Sequence, residues 1–135
     1  MSWAEYLDGA NGIIPKSRDN VTAAGIYGLN GAVWAQKDLT ASYEDILRLA
    51  KLFEDDDEVK QALERGFEFT GNKYTYLRGD EQMIQAKGKC GQMAPLTVFK
   101  TKKALVVALG GESAVAGLVS TAVSQIGDYL VNYGY

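Results

Sequence analysis

The amino-acid sequence predicts an α+β domain in which an antiparallel β-sheet carries helices on its two faces. Apolar residues recur at helical spacing in residues 42–53 and 115–133, whereas residues 67–109 alternate with a period of two. Short connections separate the alternating runs, which favours an antiparallel meander. The predicted order is a helix, two strands, helices, about five strands and a last helix, which is typical of a sheet covered by helices.

A short helix is predicted near the N-terminus, from about Trp3 to Asp8. Ser2 is followed three residues later by Glu5, which is the spacing of a capping box. Residues 11–15 include Asn11, Gly12 and Pro15, which favour a loop. The first and last helices each have an apolar face and no nearer partner, so we expect them to lie together on the same side of the sheet.

A β-hairpin and a helix are predicted next. Residues 21–27 and 32–36 are the two strands, and Asn30-Gly31 between them favours a tight turn. Ser42 is a good N-cap for a helix whose apolar residues extend to Phe53. A second short helix is predicted over residues 59–63.

Five strands and a long helix complete the predicted fold. The strands are placed at residues 67–69, 74–77, 83–87, 96–100 and 104–109, with turns at Gly71-Asn72, Gly79-Asp80, 88–92 and 101–103. Glu112 or Ser113 is the expected cap of the last helix. Its apolar stripe consists of Val115, Leu118, Val119, Ala122, Ile126, Tyr129, Leu130 and Tyr133.

Length and composition exclude several classes of function. The 135 residues predict a single domain, residues 1–135, with a core of its own. The chain has no histidine and one cysteine, so Ser-His or Cys-His catalysis and an internal disulfide are ruled out. We expect no enzyme, no cofactor and no metal site. The net charge of −3 argues against a nucleic-acid partner. No apolar run approaches a membrane span, and we expect a cytoplasmic protein with no stable membrane insertion.

Aromatic residues near the two ends of the chain are the most informative candidates for function. Exposed aromatic faces suit polyproline-II ligands, because proline rings pack on them while Trp N–H and Tyr O–H groups donate to ligand carbonyls. Alternatively, the rings anchor the terminal helices to the sheet. The residues concerned are Trp3, Tyr6, Trp34, Tyr129, Tyr133 and Tyr135.

Basic residues are concentrated in the strand region. They suit an acidic protein surface or anionic lipid headgroups, or alternatively protect the sheet edges as solvated lysines. The acidic run at residues 54–58 lacks the spacing of a calcium loop, and Gly110-Gly111 lacks the Lys-Ser/Thr pair of a phosphate loop. The basic set is Lys73, Arg78, Lys87, Lys89, Lys100, Lys102 and Lys103.

Four blocks of sequence resemble the profilin family in order and spacing along essentially the whole chain: MSWAEYLD, GAVWAQ, GNKYTYLRGD and IGDYLVNYGY. The resemblance implies an antiparallel sheet with the N- and C-terminal helices packed on one face and shorter helices on the other. It also implies a cytoplasmic, cytoskeleton-associated, non-enzymatic protein. Such a protein binds monomeric actin, regulates filament assembly and binds proline-rich partners such as formins.

The resemblance implies two binding sites. The polyproline-binding pattern falls on Trp3, Tyr6, Trp34, Tyr129 and Tyr135. The actin-binding surface, on the opposite side, falls on Lys73, Thr75, Arg78, Lys87, Lys89, Gly117 and Thr121. Unlike many profilins, this chain has no basic residue at the start of the last helix, and it carries the acidic run after an earlier helix. These departures bear on actin affinity without fixing the direction of the change.

Binding to phosphatidylinositol phosphates is a further property that the resemblance implies. Val131 and Asn132 stand where some profilins have a basic pair, so we expect weak lipid binding at most, through Lys73, Lys87 and Lys89. Two other functions stay open. One is a proline-rich-motif adaptor with weak or no actin binding, and the other is a PAS-like small-molecule sensor, which a buried ligand cavity would support.

Overall fold

A seven-stranded antiparallel sheet forms the centre of the protein. The computed structural model describes residues 3–18, 20–54, 65–88, 94–111 and 114–135. In this part of the chain the strand order is β2-β1-β7-β6-β5-β4-β3. The strands are β1 (Val21–Gly28), β2 (Val33–Lys37), β3 (Phe67–Phe69), β4 (Asn72–Gly79), β5 (Met83–Gly88), β6 (Pro95–Lys100) and β7 (Ala104–Gly110). The helices are α1 (Glu5–Asp8), α2 (Ile13–Lys16), α3 (Tyr43–Lys51) and α4 (Ala116–Asn132).

Two apolar clusters lie on opposite faces of this sheet. The first contains Ile46 and Leu49 of α3, both fully buried. The second contains Leu7 of α1, Ile13 of α2 and the buried side of α4. The prediction that the two terminal helices lie together on one face is therefore confirmed, and α3 covers the other face.

Two predicted features of the first half have the expected local chemistry. Gly31 has a φ of 93° in the β1–β2 turn, a conformation that glycine adopts without a Cβ penalty. Ser42 caps α3: its side chain accepts from the Asp45 backbone N–H at 3.1 Å, and the Asp45 carboxylate accepts from the Ser42 N–H at 3.1 Å. The hairpin and the start of α3 are thus fixed locally.

The N-terminal segment differs from the prediction at two points. α1 starts at Glu5, and Trp3 belongs to the preceding turn, where its carbonyl accepts from the Tyr6 N–H at 3.1 Å. The predicted loop at residues 11–15 contains α2. Pro15 is compatible with this helix because the first-turn N–H groups have no intrahelical acceptor. Burial of Ile13, a tertiary effect, favours the helix.

Smaller corrections concern a turn and the stripe of the last helix. The β3–β4 turn is Thr70-Gly71, because Asn72 already pairs with Phe69. Val115 and Tyr133, predicted in the apolar stripe, are 56% and 66% exposed because they flank α4 at its two ends. Five predicted features lie wholly or mostly outside the described residues: the cap at Ser2, the cap at residues 112–113, the helix at 59–63, the acidic run at 54–58 and the turn at 88–92.

Close packing holds α4 against the sheet. Gly127 faces β6, and a Cβ built on this residue would overlap the ring of Phe99. Phe99 is 3% exposed and belongs to the same apolar cluster as Ile126 and Leu130. The absence of a side chain at Gly127 therefore sets how near the helix lies to the strand. In the described residues no helix has both the length and the apolar character needed to cross a membrane.

A glycine-to-alanine pair in α4 tests this packing. Gly127→Ala should lower the free energy of unfolding by about 1–3 kcal/mol, because an overpacked core forces the ring or helix to shift. Gly117→Ala is the matched control: its Cβ would meet nothing within 4 Å, and alanine should stabilise the exposed helix by up to about 1 kcal/mol. Urea denaturation of both variants measures the difference. Equal stability of the two variants would contradict the packing argument.

Candidate functional site

Six aromatic rings from both ends of the chain and from the β1–β2 hairpin form one continuous surface. We call it the aromatic surface: Trp3, Tyr6, Trp34, Tyr129, Tyr133 and Tyr135. Trp3 is its centre, with ring centroids 4.7 Å from Trp34, 4.9 Å from Tyr135 and 5.5 Å from Tyr6. The structure thus brings together all five residues of the predicted proline-binding set.

The aromatic surface extends from Tyr6 onto helix α4. The Tyr6 and Tyr129 centroids are 5.7 Å apart, and the Tyr129 and Tyr133 centroids are 4.5 Å apart. Tyr133 was one of the six aromatic candidates drawn from the sequence, but it was outside the five-residue pattern that the family resemblance implied. The sixth ring therefore lengthens the surface beyond the five residues of that pattern.

A β-bulge directs Trp34 towards the N-terminal segment. Val33 pairs with Tyr27 and Ala35 with Ile26, so Trp34 is the extra residue on β2 between two consecutive partners on β1. Bulges of this kind re-aim a side chain on an edge strand. The bulge accounts for a tryptophan from the hairpin lying against Trp3.

A helix C-cap places Tyr135. Gly134 has a φ of 85°, its N–H donates to the Val131 carbonyl at 3.1 Å, and the Tyr135 N–H donates to the Leu130 carbonyl at 2.9 Å. These two bonds constitute a Schellman motif, which reverses the chain after α4. The Lys103 N–H also donates to the Tyr135 main-chain oxygen at 3.2 Å, which ties the residue to the β6–β7 turn. Tyr135 is thus held edge-on to Trp3.

The aromatic surface is partly anchored and partly open. Trp3, Tyr6 and Trp34 pack against the apolar cluster under α4 and are half-buried. Tyr129 and Tyr135 are each 38% exposed. The two alternatives drawn from the sequence are therefore compatible, since rings that fix the terminal helices also present open faces to a ligand. Indole N–H and phenol O–H groups are the hydrogen-bond donors that such a surface offers.

The predicted actin-binding residues of the strands share one face of the sheet. Thr75 pairs with Lys87 and Arg78 with Gln85, and cross-strand partners lie on the same face. A bulge between Tyr76 and Arg78 keeps Arg78 on the same face as Thr75. Lys73 precedes Thr75 by two residues in β4, so it lies on this face as well. Met83 on β5 shares this face and packs against the cluster under α4. This is the sheet face that carries the terminal helices. The expected separation from the aromatic surface therefore lies along the sheet, since β4 and β5 are near the edge opposite the β1–β2 hairpin.

The helix residues of that predicted set are exposed on the first half of α4. Gly117 and Thr121 lie one helical turn apart and both face solvent. Lys89 lies outside the described residues. The start of α4 carries no basic residue. Among the described residues of the predicted actin-binding set, the positive charges therefore come from β4 and β5.

The residues with shifted pKa values stabilise the fold and lie away from the six rings. Burial raises the pKa of Tyr27, helped by the negative charge of Asp45, and the Tyr27 hydroxyl donates to Gln36 at 3.1 Å. The backbone N–H groups of Gln82 and Met83 donate to Asp80 and lower its pKa. Among the described residues, no cluster of acidic residues or cysteine could hold a metal ion.

These observations define a small α+β domain whose exposed aromatic surface is built from both chain ends and an edge hairpin. A sequence profile of the family named Profilin matches residues 1–135. Similar proteins include a profilin of Branchiostoma belcheri, 34% identical over 132 residues (97% of each chain), and one of Bombyx mori, 31% identical over 137 residues (100% of each). The chain belongs to the profilin family.

Solved structures agree with this assignment. Acanthamoeba castellanii profilin II has a TM-score of 0.82 at 30% identity, covering 99% of this chain and 100% of that one. Mouse profilin IIa in complex with a double repeat from the FH1 domain of mDia1 has a TM-score of 0.79 at 18% identity and full coverage of both chains. The predicted profilin fold is confirmed.

Replacing the C-cap glycine tests how Tyr135 is held. Gly134→Val should lower the free energy of unfolding by about 1–2 kcal/mol, because a β-branched residue disfavours positive φ. It should also weaken the near-ultraviolet circular dichroism of the Trp3–Tyr135 contact. Gly134→Asn is the control, since asparagine tolerates this conformation. Unchanged spectra and stability in Gly134→Val would show that the cap does not position Tyr135.

Proposed function

We propose that this protein binds monomeric actin and proline-rich segments and so regulates the assembly of actin filaments. The observation that carries the proposal is the aromatic surface, in which six rings form a row with open faces. Membership of the profilin family, in which actin is the usual partner, supports the actin half of the function. We further propose that the protein acts by binding, without catalysis.

The chemistry of the aromatic surface suits a polyproline-II ligand. Such a ligand has three residues per turn, no internal hydrogen bonds and no backbone N–H groups on its prolines, so its carbonyls need donors from the protein. Trp3 and Trp34 supply indole N–H groups beside the tyrosine hydroxyls, and the row of flat rings receives the proline rings. The ligand's order before binding reduces the entropy that binding costs.

A proline-rich segment of a formin is the partner type that the comparisons support. The mouse profilin of the same fold was solved with an FH1 repeat. In the present chain the five predicted aromatic residues form one connected set of ring contacts, so we propose the same class of ligand for its aromatic surface.

For actin, we propose the sheet face formed by β4 and β5 together with the first half of α4. Lys73, Arg78 and Lys87 give it positive charge in a protein whose net charge is −3. Complementary charge mainly raises the association rate and selects the partner. Weak binding of phosphatidylinositol phosphates through the same lysines, and a cytoplasmic, cytoskeleton-associated location, belong to the proposal.

The two alternative functions are less well supported. A PAS-like sensor needs an enclosed cavity, whereas both faces of the sheet are filled by buried side chains. A proline-rich-motif adaptor without actin binding is motivated by the lack of basic residues at the start of α4. An actin-assembly measurement separates this adaptor from the main proposal.

Removal of the central ring should abolish proline-peptide binding. Trp3→Ala deletes three ring contacts and should weaken binding of a proline-only peptide by at least about 30-fold, equivalent to about 2 kcal/mol, as expected for an interface hot spot. Isothermal titration calorimetry measures the affinity, and circular dichroism checks the fold. Leu77→Ala is the control, since Leu77 is 55% exposed on β4, which three strands separate from the β1–β2 hairpin. Equal affinity in Trp3→Ala and wild type would refute the site.

Actin binding should depend on the charge of the β4–β5 face. Wild-type protein should delay spontaneous assembly of labelled actin monomers in a dose-dependent way. Lys87→Glu should weaken this effect by about tenfold, because the charge reversal replaces attraction with repulsion at one contact. Lys37→Glu is the control, since exposed Lys37 ends β2 at the edge of the sheet opposite β4. No delay with excess wild-type protein would leave the proline-binding adaptor as the function.

A further inference from the structure

The indole ring of Trp34 lies against the backbone of strand β1. A Cβ built on Gly28 would stand 3.1 Å from Trp34 Nε1 and 2.7 Å from Asn30 Oδ1. Non-bonded heavy atoms pack best at about 3.5–4.0 Å, so a methyl group at Gly28 would displace the indole. Gly28 does not have a positive φ, and an alanine could therefore adopt its backbone conformation. The missing side chain thus makes room for the ring of Trp34.

The turn that leads to Trp34 is contacted from the opposite face of the sheet. A Cβ built on Gly31 would overlap the ring of Tyr43, so this ring lies directly on the turn. Inside the turn, the Asn30 side-chain oxygen accepts from the Ala32 backbone N–H at 3.1 Å. The β1–β2 turn is therefore packed between Tyr43 on the α3 side and the indole of Trp34 on the α4 side.

Tyr43 is held firmly although its side chain is largely exposed. It is the first residue of α3, directly after the Ser42 capping box, and the buried residues Ile46 and Leu49 anchor this helix to the sheet. The side chain of Tyr43 is nevertheless 58% exposed, so it contributes little to the apolar core. Its contact with Gly31 places a rigid ring on the tip of the hairpin.

Backbone hydrogen bonds fix the stem of the hairpin. The Gly28 N–H donates to the Ala32 carbonyl at 2.8 Å, and the Leu29 N–H donates to the Lys103 carbonyl at 3.1 Å. Lys103 also donates its own N–H to the main-chain oxygen of Tyr135, so one turn holds both the hairpin and the C-terminal ring. With the stem fixed, a displacement of the tip changes the direction in which Trp34 leaves β2.

We propose that Gly28 and Tyr43 are positioning residues of the proline-binding site. Gly28 receives the indole of Trp34 on one face of the sheet, and Tyr43 holds the turn at Gly31 from the other face. Both act through Trp34, whose ring centroid is 4.7 Å from that of Trp3. A ring that is in place before the ligand arrives lowers the entropy cost of binding. This inference rests on the proposed function of the aromatic surface.

Side-chain substitutions on the two faces test the proposal by calorimetry with a proline-only peptide and the full-length protein. Gly28→Ala adds a methyl group beneath the indole, and Tyr43→Ala removes the ring from the turn. Each should weaken binding by about fivefold, because a displaced hot-spot ring loses part of its ligand contact. Tyr43→Phe keeps the ring carbons that contact Gly31 and should bind like wild type. Leu77→Ala is the matched control for loss of a large exposed side chain, since Leu77 is 55% exposed on β4.

The indole nitrogen-15 signals show whether the effect passes through Trp34. The two tryptophans give two signals, and Trp34→Phe assigns them by removing one. Without peptide, the Trp34 signal should shift in Gly28→Ala and Tyr43→Ala and should keep its wild-type position in Tyr43→Phe and Leu77→Ala. Urea denaturation of each variant checks that it is folded under the conditions of the titration, so a loss of stability alone moves neither readout.

The outcomes separate the positioning residues from the site on which they act. Wild-type affinity in both Gly28→Ala and Tyr43→Ala would overturn the positioning role while the aromatic surface keeps its function. Weaker binding with an unmoved Trp34 signal would overturn the route through Trp34. Equal loss in Tyr43→Phe and Tyr43→Ala would overturn the ring contact with Gly31 as the cause. No binding of the peptide to wild type would overturn the proposed function, and this inference with it.

Discussion

The contact between Gly127 of α4 and the ring of Phe99 is the constraint on which the functional architecture depends. Because α4 lies this close to β6, its C-terminal end comes within reach of the N-terminal segment. The Schellman motif at Gly134 then turns Tyr135 back onto Trp3. A larger residue at position 127 would move the helix and, with it, the tyrosines of the aromatic surface.

The aromatic surface combines two roles that usually compete. An aromatic ring that anchors a helix is normally buried, whereas a ring that binds a ligand has to keep one face free. Trp3, Tyr6 and Trp34 serve both roles, because each packs against the apolar cluster and yet stays only half-buried. The ligand site is thus supported by the same packing that holds the chain ends, and its geometry is formed before binding.

Local patterns predicted much of this fold. The Asn30-Gly31 turn, the Ser42 cap and the alternation in β5 are determined by neighbouring residues, and the structure has each of them. In β6 and β7 the predicted alternation is wrong, because the apolar clusters on the two faces of the sheet bury nearly every residue of these strands. α2 was wrongly predicted as a loop, because its stability comes from burial of Ile13 against distant residues. Long-range packing therefore determined the secondary structure of residues 13–16.

The site was predictable to a lesser extent. All six aromatic residues were candidates from the sequence itself, and the family resemblance implied a proline-binding pattern on five of them. The structure brings all six together. The Trp34 bulge depends on the register between two strands. It leaves no signal in residue type or spacing. The prediction that Tyr133 belongs to the buried stripe of α4 was wrong, because helical periodicity does not show where the helix ends.

The central claim is that a proline-rich ligand binds on the aromatic surface, and the indole N–H signals of the protein test it most directly. The chain has two tryptophans, and both Trp3 and Trp34 belong to this surface. In a nitrogen-15 NMR titration with a proline-only peptide, both indole signals should shift saturably with one dissociation constant. Saturable shifts elsewhere in the protein with both indole signals unmoved would contradict the account.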